Sequence, residues 1–324
     1  SRYNMQSSLY PMSPTYGEYL RLEELLGLQT GLEDDEGKIS NDELHFIIVH
    51  QNFELWFKLV INELRCTRDL LDTDYVEETS LPQAVHHMER VTETFRLMAQ
   101  QWKVMETLEP QDFLNFREEL GTASGFESVQ MRTLEIIMGD KWIDGKAVKS
   151  KNPGGEKSLY EVVCAWLQRT PIQGSIPDTP EDEATVDGFI ENYLQSHNGL
   201  YPDTNQDARD FLKPNGVSHR GRAGLVFIES YRELPLLSWP RKLISTLIEL
   251  EESMVLWRGS HARMVERIIG RRMGTGGSPG VDYLDMTLKY RVFVDLWSVR
   301  TILIKKQALP SLEKPEFYGF NEAE

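Results

Sequence analysis

Residues 41–65 read NDELHFIIVHQNFELWFKLVINELR, and this stretch decides the fold. Its apolar residues recur every three or four positions, which predicts a long amphipathic helix. Phe46, His50, Phe53 and Phe57 then fall close to one line along the helix axis. Only His50 among them can exchange a proton or bind a metal. Taken alone, the stretch is most simply interpreted as containing a core histidine bonded to a neighbour.

A second stretch, residues 254–280, reads MVLWRGSHARMVERIIGRRMGTGGSPG. It favours a functional role for His50 over that of a core histidine. His261 again lies on an apolar helix face, beside Met264, Val265 and Ile268, and a glycine-rich loop follows. Two histidines far apart in sequence, each on an apolar face, could hold a flat apolar cofactor between them. Haem fits that description, because an imidazole is one of its common axial ligands.

The composition limits the possible functions. The chain has 324 residues, is 40% hydrophobic and carries a net charge of −16, so it can build a core and disfavours nucleic acid and anionic membranes. Its two cysteines, Cys66 and Cys164, form no close pair and indicate a reducing compartment. Residues 1–20 lack the apolar core of a signal peptide, and no apolar run has the length of a membrane span. We therefore expect a cytoplasmic protein with no membrane and no nucleic-acid partner.

The helical patterns predict an all-α architecture, a bundle of long helices without a convincing strand pattern. We expect an N-terminal extension over 1–14 and a single domain over 15–324. Its variable part is 139–220, made of a linker over 139–157 and a polar, proline-rich surface excursion over 171–220 with one or two acidic helices. Helices are predicted near 41–71, 82–107, 110–120, 125–138, 158–169, 221–232, 240–258, 260–270 and 282–302.

Several motif-like stretches carry little weight. GDKWIDGKA, from Gly139, resembles a phosphate loop, but its glycine spacing is one residue too long and Ala147 replaces the magnesium-binding Ser or Thr. GTGGSPG over 274–280 lacks the third glycine and the preceding strand of a dinucleotide fingerprint. The sequence contains no HExxH and no paired CxxC, so a zinc site is not expected. His86 and His87 are adjacent, and we expect them in solvent.

Two polar residues each allow two interpretations. Arg117, in DFLNFREEL, either pairs in solvent with Glu118 or Glu119, or lies at the mouth of an apolar pocket and binds a carboxylate through two hydrogen bonds. Thr275, between glycines, is either a plain turn residue or a hydroxyl on a loop that closes over a ligand.

Five blocks together carry a resemblance to a known family. They are FIIVHQNFELWFK at 46–58, METLEPQDFLNFREEL at 105–120, ASGFES at 123–128, TLIELEESMVLWRGSHARMV at 246–265 and GTGGSPGVDYL at 274–284. The chain resembles the tryptophan 2,3-dioxygenases over most of its length, and least over 139–220. That resemblance implies an all-helical homotetramer with one haem b per subunit, ferrous during turnover. It also implies insertion of both atoms of dioxygen across the indole C2–C3 bond of L-tryptophan, giving N-formylkynurenine.

The resemblance further implies roles for individual residues. His261 matches the proximal ligand of the haem iron, and His50 matches the distal histidine that hydrogen-bonds the indole N–H. The positions matched to the wall and the amino-acid end of the substrate pocket are Phe46, Phe113, Arg117 and Thr275. Those matched to the surroundings of the haem are Trp102, Ser124 and Gly125. Those matched to a segment that completes a neighbouring subunit's pocket are Tyr16, Tyr19 and Leu20.

Two positions depart from the family pattern. Ser40–Asn41 stands where a histidine usually precedes Asp42–Glu43, and Glu127 stands where an amide is usual. They leave room for a related haem monooxygenase that acts on a substituted tryptophan in secondary metabolism and needs a reductant. A non-catalytic haem-binding or sensor module has no need of the Arg117 and Thr275 positions, and a helical scaffold without cofactor leaves both histidines unexplained.

Overall fold

The computed structural model describes residues 13–139, 141–143, 146–148, 155–275, 277 and 279–319, with 141–143 and 146–148 described as backbone alone. Most of the predicted extension over 1–14 lies outside these residues. The helices are α1 Tyr16–Leu20, α2 Leu22–Leu26, α3 Asn41–Leu71, α4 Ser80–Met105, α5 Pro110–Arg117, α6 Val129–Met138, α7 Leu159–Gln168, α8 Pro180–Leu200, α9 Asn205–Leu212, α10 Arg220–Ser230, α11 Ser238–Ile269, α12 Val281–Thr287 and α13 Val294–Ser298.

The three longest helices form the centre of the bundle. The start of α3 follows from its sequence, since the Ser40 hydroxyl accepts the N–H of Glu43 at 3.1 Å and Asp42 and Glu43 suit the positive end of the helix dipole. Both α3 and α11 pack along α4, and all three carry fully buried apolar side chains. The all-α prediction is confirmed. Inside the predicted linker, β1 Lys141–Ile143 and β2 Lys146–Val148 form a short antiparallel hairpin.

The helix predictions near the C-terminal glycine loop were wrong in one respect. The sequence predicts two segments, 240–258 and 260–270, but the structure has one helix of 32 residues. Gly259 lies in its interior, where glycine costs up to about 1 kcal/mol relative to alanine. Packing of α11 along α4 offsets that cost, so the helix continues through the glycine.

The predicted long helix over 282–302 was also wrong, because the chain breaks between α12 and α13. Glu251 of α11 is buried, and its carboxylate accepts the backbone N–H groups of Val292 and Phe293. It also accepts the indole N–H of Trp297 at 2.8 Å. These backbone donors therefore bond to a side chain of another helix instead of continuing a helical ladder.

The predicted excursion contains the two acidic helices expected of it, α8 and α9. Their inner faces are apolar: Phe189 and Tyr193 are almost fully buried, and Phe189 packs edge-to-face on Phe227 of α10 with ring centroids 5.4 Å apart. The hydroxyl of Tyr193 donates to the carbonyl of Ile302 at 2.9 Å. The described part of 171–220 thus packs into the same hydrophobic cluster as the long helices.

The two adjacent histidines differ in their environments. His86 is exposed, as predicted. The prediction was wrong for His87, whose Nδ1 lies 2.5 Å from a carboxylate oxygen of the buried Glu63, which also accepts from Arg90 at 2.9 Å. A buried carboxylate needs such partners, so the half-buried His87 packs against Glu63 instead of standing free in solvent. In the ranges that the structure describes, no helix combines the length and the apolar character needed to cross a membrane.

Candidate active site

His50 of α3 and His261 of α11 line the same cavity. The cavity spans about 1240 Å³ of space free of protein atoms, counted out into the solvent at its open mouth. Its apolar walls include Phe53, Phe57 and Trp257. The predicted site residues that also line it are Trp102, Phe113, Arg117, Ser124, Gly125 and Thr275.

His261 presents a neutral imidazole to this cavity. Its ring stacks on Trp102, with centroids 4.5 Å apart and planes 8° from parallel, and lies 5.8 Å from Trp257. Burial, with a smaller contribution from His50, lowers its pKa to about 4. Neither ring nitrogen is hydrogen-bonded to a residue that the structure describes. A neutral imidazole nitrogen that faces an apolar cavity without a hydrogen-bond partner has the properties of a metal ligand.

His50 has a defined tautomer. Its Nδ1 lies 2.8 Å from the carbonyl oxygen of Phe46, and because a carbonyl only accepts, Nδ1 carries the hydrogen. Burial is the largest influence on its pKa, which is lowered, so the ring is neutral at neutral pH. Nε2 is left with a lone pair that can accept a hydrogen bond from a ligand in the cavity.

Aromatic rings support His50 on one side. Phe46 does not line the cavity itself but packs on the His50 ring with centroids 4.0 Å apart, and on Phe113 at 5.9 Å. Phe113 does line the cavity, and Phe116 packs against it at a right angle. The wall of the cavity beside His50 is therefore an aromatic cluster that keeps the His50 ring in place.

Arg117 is joined to the glycine loop. Its Nη2 donates to the carbonyl oxygen of Met273 at 2.6 Å, so the solvent pairing with Glu118 or Glu119 is not what the structure contains. The hydroxyl of Thr275 donates to the carbonyl of Ala123 at 2.6 Å. These two bonds connect the loop to the end of α5 and to the segment that follows α5, beside the cavity.

Gly280 shows why this loop needs glycine. Its φ is +61°, which L side chains rarely adopt, and a Cβ there would come within 2.7 Å of the carbonyl oxygen of Arg272. The chain can turn back into α12 only if this position has no side chain. α12 then brings Tyr283 and Leu284 to the cavity.

Ser124 and Gly125 lie in a short 3-10 turn, Gly125–Glu127, at the cavity wall. The Ser124 hydroxyl accepts the N–H of Phe126, and the Glu127 carboxylate accepts the N–H of Ser124. This reciprocal cap forms with either Glu or Gln, so the departure at Glu127 is compatible with the same turn. The other departure, Ser40, serves as the N-cap of α3.

Tyr16, Tyr19 and Leu20 do not line the cavity of their own chain. They lie on α1, where their exposed fractions are 76%, 77% and 42%. Their predicted role in a neighbouring subunit stays a prediction.

A polar group at the cavity wall was missed by sequence reasoning. Arg258, Glu135 and Arg132 line the cavity together, as does Glu54, which accepts from the Ser128 hydroxyl at 2.6 Å. Arg258 precedes His261 by three residues and Glu54 follows His50 by four, spacings that put each pair on one helix face. That spacing was an available signal, but charged residues on helices are usually solvated.

The side chains of the described residues limit the kind of metal that could bind at His261. In the described ranges, no group of three or more His, Cys, Asp and Glu side chains could hold a metal ion. A metal bound at His261 would therefore have to arrive with most of its own ligands. A flat, mostly apolar metal complex suits both this requirement and the aromatic walls.

Comparison with known proteins gives one family. The sequence profile described as Tryptophan 2,3-dioxygenase matches residues 4–176 and 190–303. A protein of Ralstonia nicotianae named Tryptophan 2,3-dioxygenase 2 is 40% identical, with 96% of this chain and 98% of the relative covered. The Tryptophan 2,3-dioxygenase of Sorangium cellulosum is also 40% identical, over 94% of this chain and 87% of its own. That of Alteromonas mediterranea is 32% identical over 92% and 94%.

Proposed function

The chain belongs to the tryptophan 2,3-dioxygenase family, and on that premise we propose that it inserts both atoms of dioxygen across the indole C2–C3 bond of L-tryptophan. The product is N-formylkynurenine, and because both oxygen atoms enter it, no external reductant is consumed. One observation carries the proposal: two neutral histidines from different helices face one aromatic cavity, with an arginine and a hydroxyl at its loop side.

We propose haem b as the cofactor, with His261 as the ligand of its iron. The neutral imidazole, its unbonded nitrogens and its stacking on Trp102 suit that role. The porphyrin would supply the ligands that nearby side chains do not. When bound and ferrous, haem would supply dioxygen activation. Trp102, Ser124 and Gly125 would contact the cofactor from the walls they form.

His50 would orient the substrate. With its hydrogen on Nδ1 and held by Phe46, the ring can accept the indole N–H at Nε2. This hydrogen bond would fix the rotation of the indole ring in its plane, while Phe113 limits its position from the side. His50 would act as a hydrogen-bond acceptor and need not remove the proton.

Arg117 and Thr275 would bind the amino-acid end. The guanidinium of Arg117 donates to a neutral carbonyl oxygen, that of Met273, and a carboxylate is a stronger acceptor for it. Thr275 has a hydroxyl within the same loop, able to donate to the carboxylate or accept from the ammonium. Together they would favour a free zwitterionic amino acid over plain indole.

We further propose a homotetramer in which the N-terminal segment completes a neighbour's site. Tyr16, Tyr19 and Leu20 support this, since they are exposed together on one face of α1 and a contiguous exposed apolar patch is typical of an interaction surface. Light scattering of the purified protein tests the assembly. Deletion of residues 1–20 should then weaken tryptophan binding.

We also propose a cytoplasmic location. The two free thiols, Cys66 and Cys164, support it, because disulfides are rare in reducing compartments.

The test of the reaction is product mass. The haem-loaded, ferrous protein is supplied with L-tryptophan and ¹⁸O-labelled dioxygen, without added reductant. Two labelled atoms in N-formylkynurenine support the dioxygenase. One labelled atom, or turnover that requires a reductant or a substituted tryptophan, would replace the proposal with a monooxygenase.

A further inference from the structure

The charge of the cavity wall is opposite to that of the whole chain. The protein carries a net charge of −16, yet the charged residues that line the cavity are three arginines and two glutamates. Arg117 lies at the glycine loop and bonds to Met273. The other two arginines, Arg132 and Arg258, lie with Glu135 on α6 and α11.

Arg258 is a buried cation with little pairing. It is 9% exposed, and among described residues its one ion-pair partner is Glu135, 3.8 Å away. It makes no hydrogen bond to a described residue, and its guanidinium lies over the Tyr290 ring at 5.3 Å. Burying a guanidinium without charge-assisted hydrogen bonds is costly, so an acceptor brought by a ligand would be strongly favoured.

Glu135 is shared between two arginines. Arg132 approaches it at 2.8 Å and Arg258 at 3.8 Å, from different helices. The Nε of Arg132 is buried and has no hydrogen-bond partner among the residues that the structure describes. One carboxylate thus serves two guanidinium groups, and their remaining donors can bind a second anion.

Arg258 and His261 lie close together on α11. Three residues of helix separate them by about 4.5 Å along the axis and place both on the same face. A group held at His261 therefore reaches the neighbourhood of Arg258. The amino-acid carboxylate is served separately by Arg117 in the proposed function.

We propose that Arg258 and Arg132 form a carboxylate site for a propionate of the haem, and that Glu135 competes with that propionate for both guanidinium groups. The inference rests on the proposed function, because it requires haem at His261. It deepens that function by assigning the charged end of the cofactor to one wall of the cavity.

The experiment measures haem loss to an excess of apomyoglobin, with haem and with its uncharged dimethyl ester. Arg258→Gln should speed haem loss by roughly 10- to 100-fold, the range for a lost charge-assisted hydrogen bond. It should change loss of the dimethyl ester little. Glu135→Gln should slow haem loss, because it removes a competitor. Arg267→Gln is the matched control, on the same helix with its side chain 65% exposed.

Several results would overturn the inference. Arg258→Gln could behave like Arg267→Gln, or could speed loss of haem and ester equally, which would mean a packing role alone. It could weaken L-tryptophan binding while haem loss is unchanged, which would assign the site to the amino acid. If Arg258→Gln does not fold, Arg132→Gln and Glu135→Gln give the same comparison between haem and its dimethyl ester. A wild-type protein that binds no haem would refute the proposed function itself.

Discussion

The two ends of the cavity are built in different ways. His50 and His261 lie on α3 and α11, helices of 31 and 32 residues that pack along α4. The proposed amino-acid end consists of the short helix α5, the segment that follows it and the glycine loop. One hydrogen bond joins Arg117 of α5 to the carbonyl of Met273, and a second joins Thr275 to the carbonyl of Ala123.

Because of this difference, we expect the two ends of the cavity to differ in rigidity. Side chains on long packed helices are held by many buried contacts, whereas a loop tied by a few exposed hydrogen bonds opens at low cost. We therefore expect the histidine end to be preformed and the loop end to adjust when the amino acid binds. Substitutions at the first should change cofactor binding, and those at the second should change substrate affinity with the cofactor retained.

The largest effect is expected for His261→Ala. Because His261 is the one proposed iron ligand, the variant should lose haem or retain it without turnover. The loss of activity should exceed the roughly 10- to 100-fold typical when a partner of a metal ligand is removed. Soret absorbance per subunit and turnover measure it, with the exposed His86→Ala as control. A haem-replete, fully active variant would refute the ligand assignment.

Arg117→Leu should affect substrate binding and leave the Soret band unchanged. It removes a charge-assisted contact worth about 1.5–3 kcal/mol, so L-tryptophan affinity should fall roughly 10- to 100-fold, less whatever water recovers. The exposed Arg209→Leu on α9 is the control. Spectral titration with L-tryptophan measures the affinity. Equal affinity in both variants would mean that the carboxylate binds elsewhere in the protein. It would also contradict the proposed difference between the two ends of the cavity.

The sequence predicts the helix-borne end better than the loop end. The aromatic stripe of α3 is a local signal, which is why the sequence predicts this helix and its buried face. The continuity of α11 through Gly259 and the break before α13 depend on packing and on Glu251, which lies far away in sequence. The position of Arg117 against Met273 depends likewise on a contact across the chain that no local pattern encodes.

Gly280→Ala tests the loop through its backbone. A Cβ at that position meets the carbonyl of Arg272 and the φ of +61° is strained, a combination worth on the order of 1–3 kcal/mol. Gly277→Ala is the matched control, since its φ is +73° but, among the described residues, no heavy atom lies within 4 Å of the added Cβ. We expect the KM for L-tryptophan to rise more in the first variant than in the second, with haem content equal. Equal KM values would show that the shape of the loop does not matter.

The smallest effect concerns the protonation of His50. Its pKa is lowered, chiefly by burial, while the nearby Glu54 raises it. The proposed acceptor role requires the neutral ring, so kcat/KM should fall as the pH drops through that pKa, which lies below the ordinary value for histidine.

Glu54→Gln removes the charge that raises this pKa, but keeps an oxygen that can accept the Ser128 hydroxyl. The acid limb of the kcat/KM profile should then move to lower pH, because the uncharged neighbour no longer favours the imidazolium. Ser128→Ala, which removes the hydrogen bond and keeps the charge, is the control for displaced packing. An acid limb that moves to higher pH in Glu54→Gln, or that moves equally in both variants, would contradict the electrostatic account. The pKa of His50 would then be set by its burial in the preformed end of the cavity and not by the charge of Glu54.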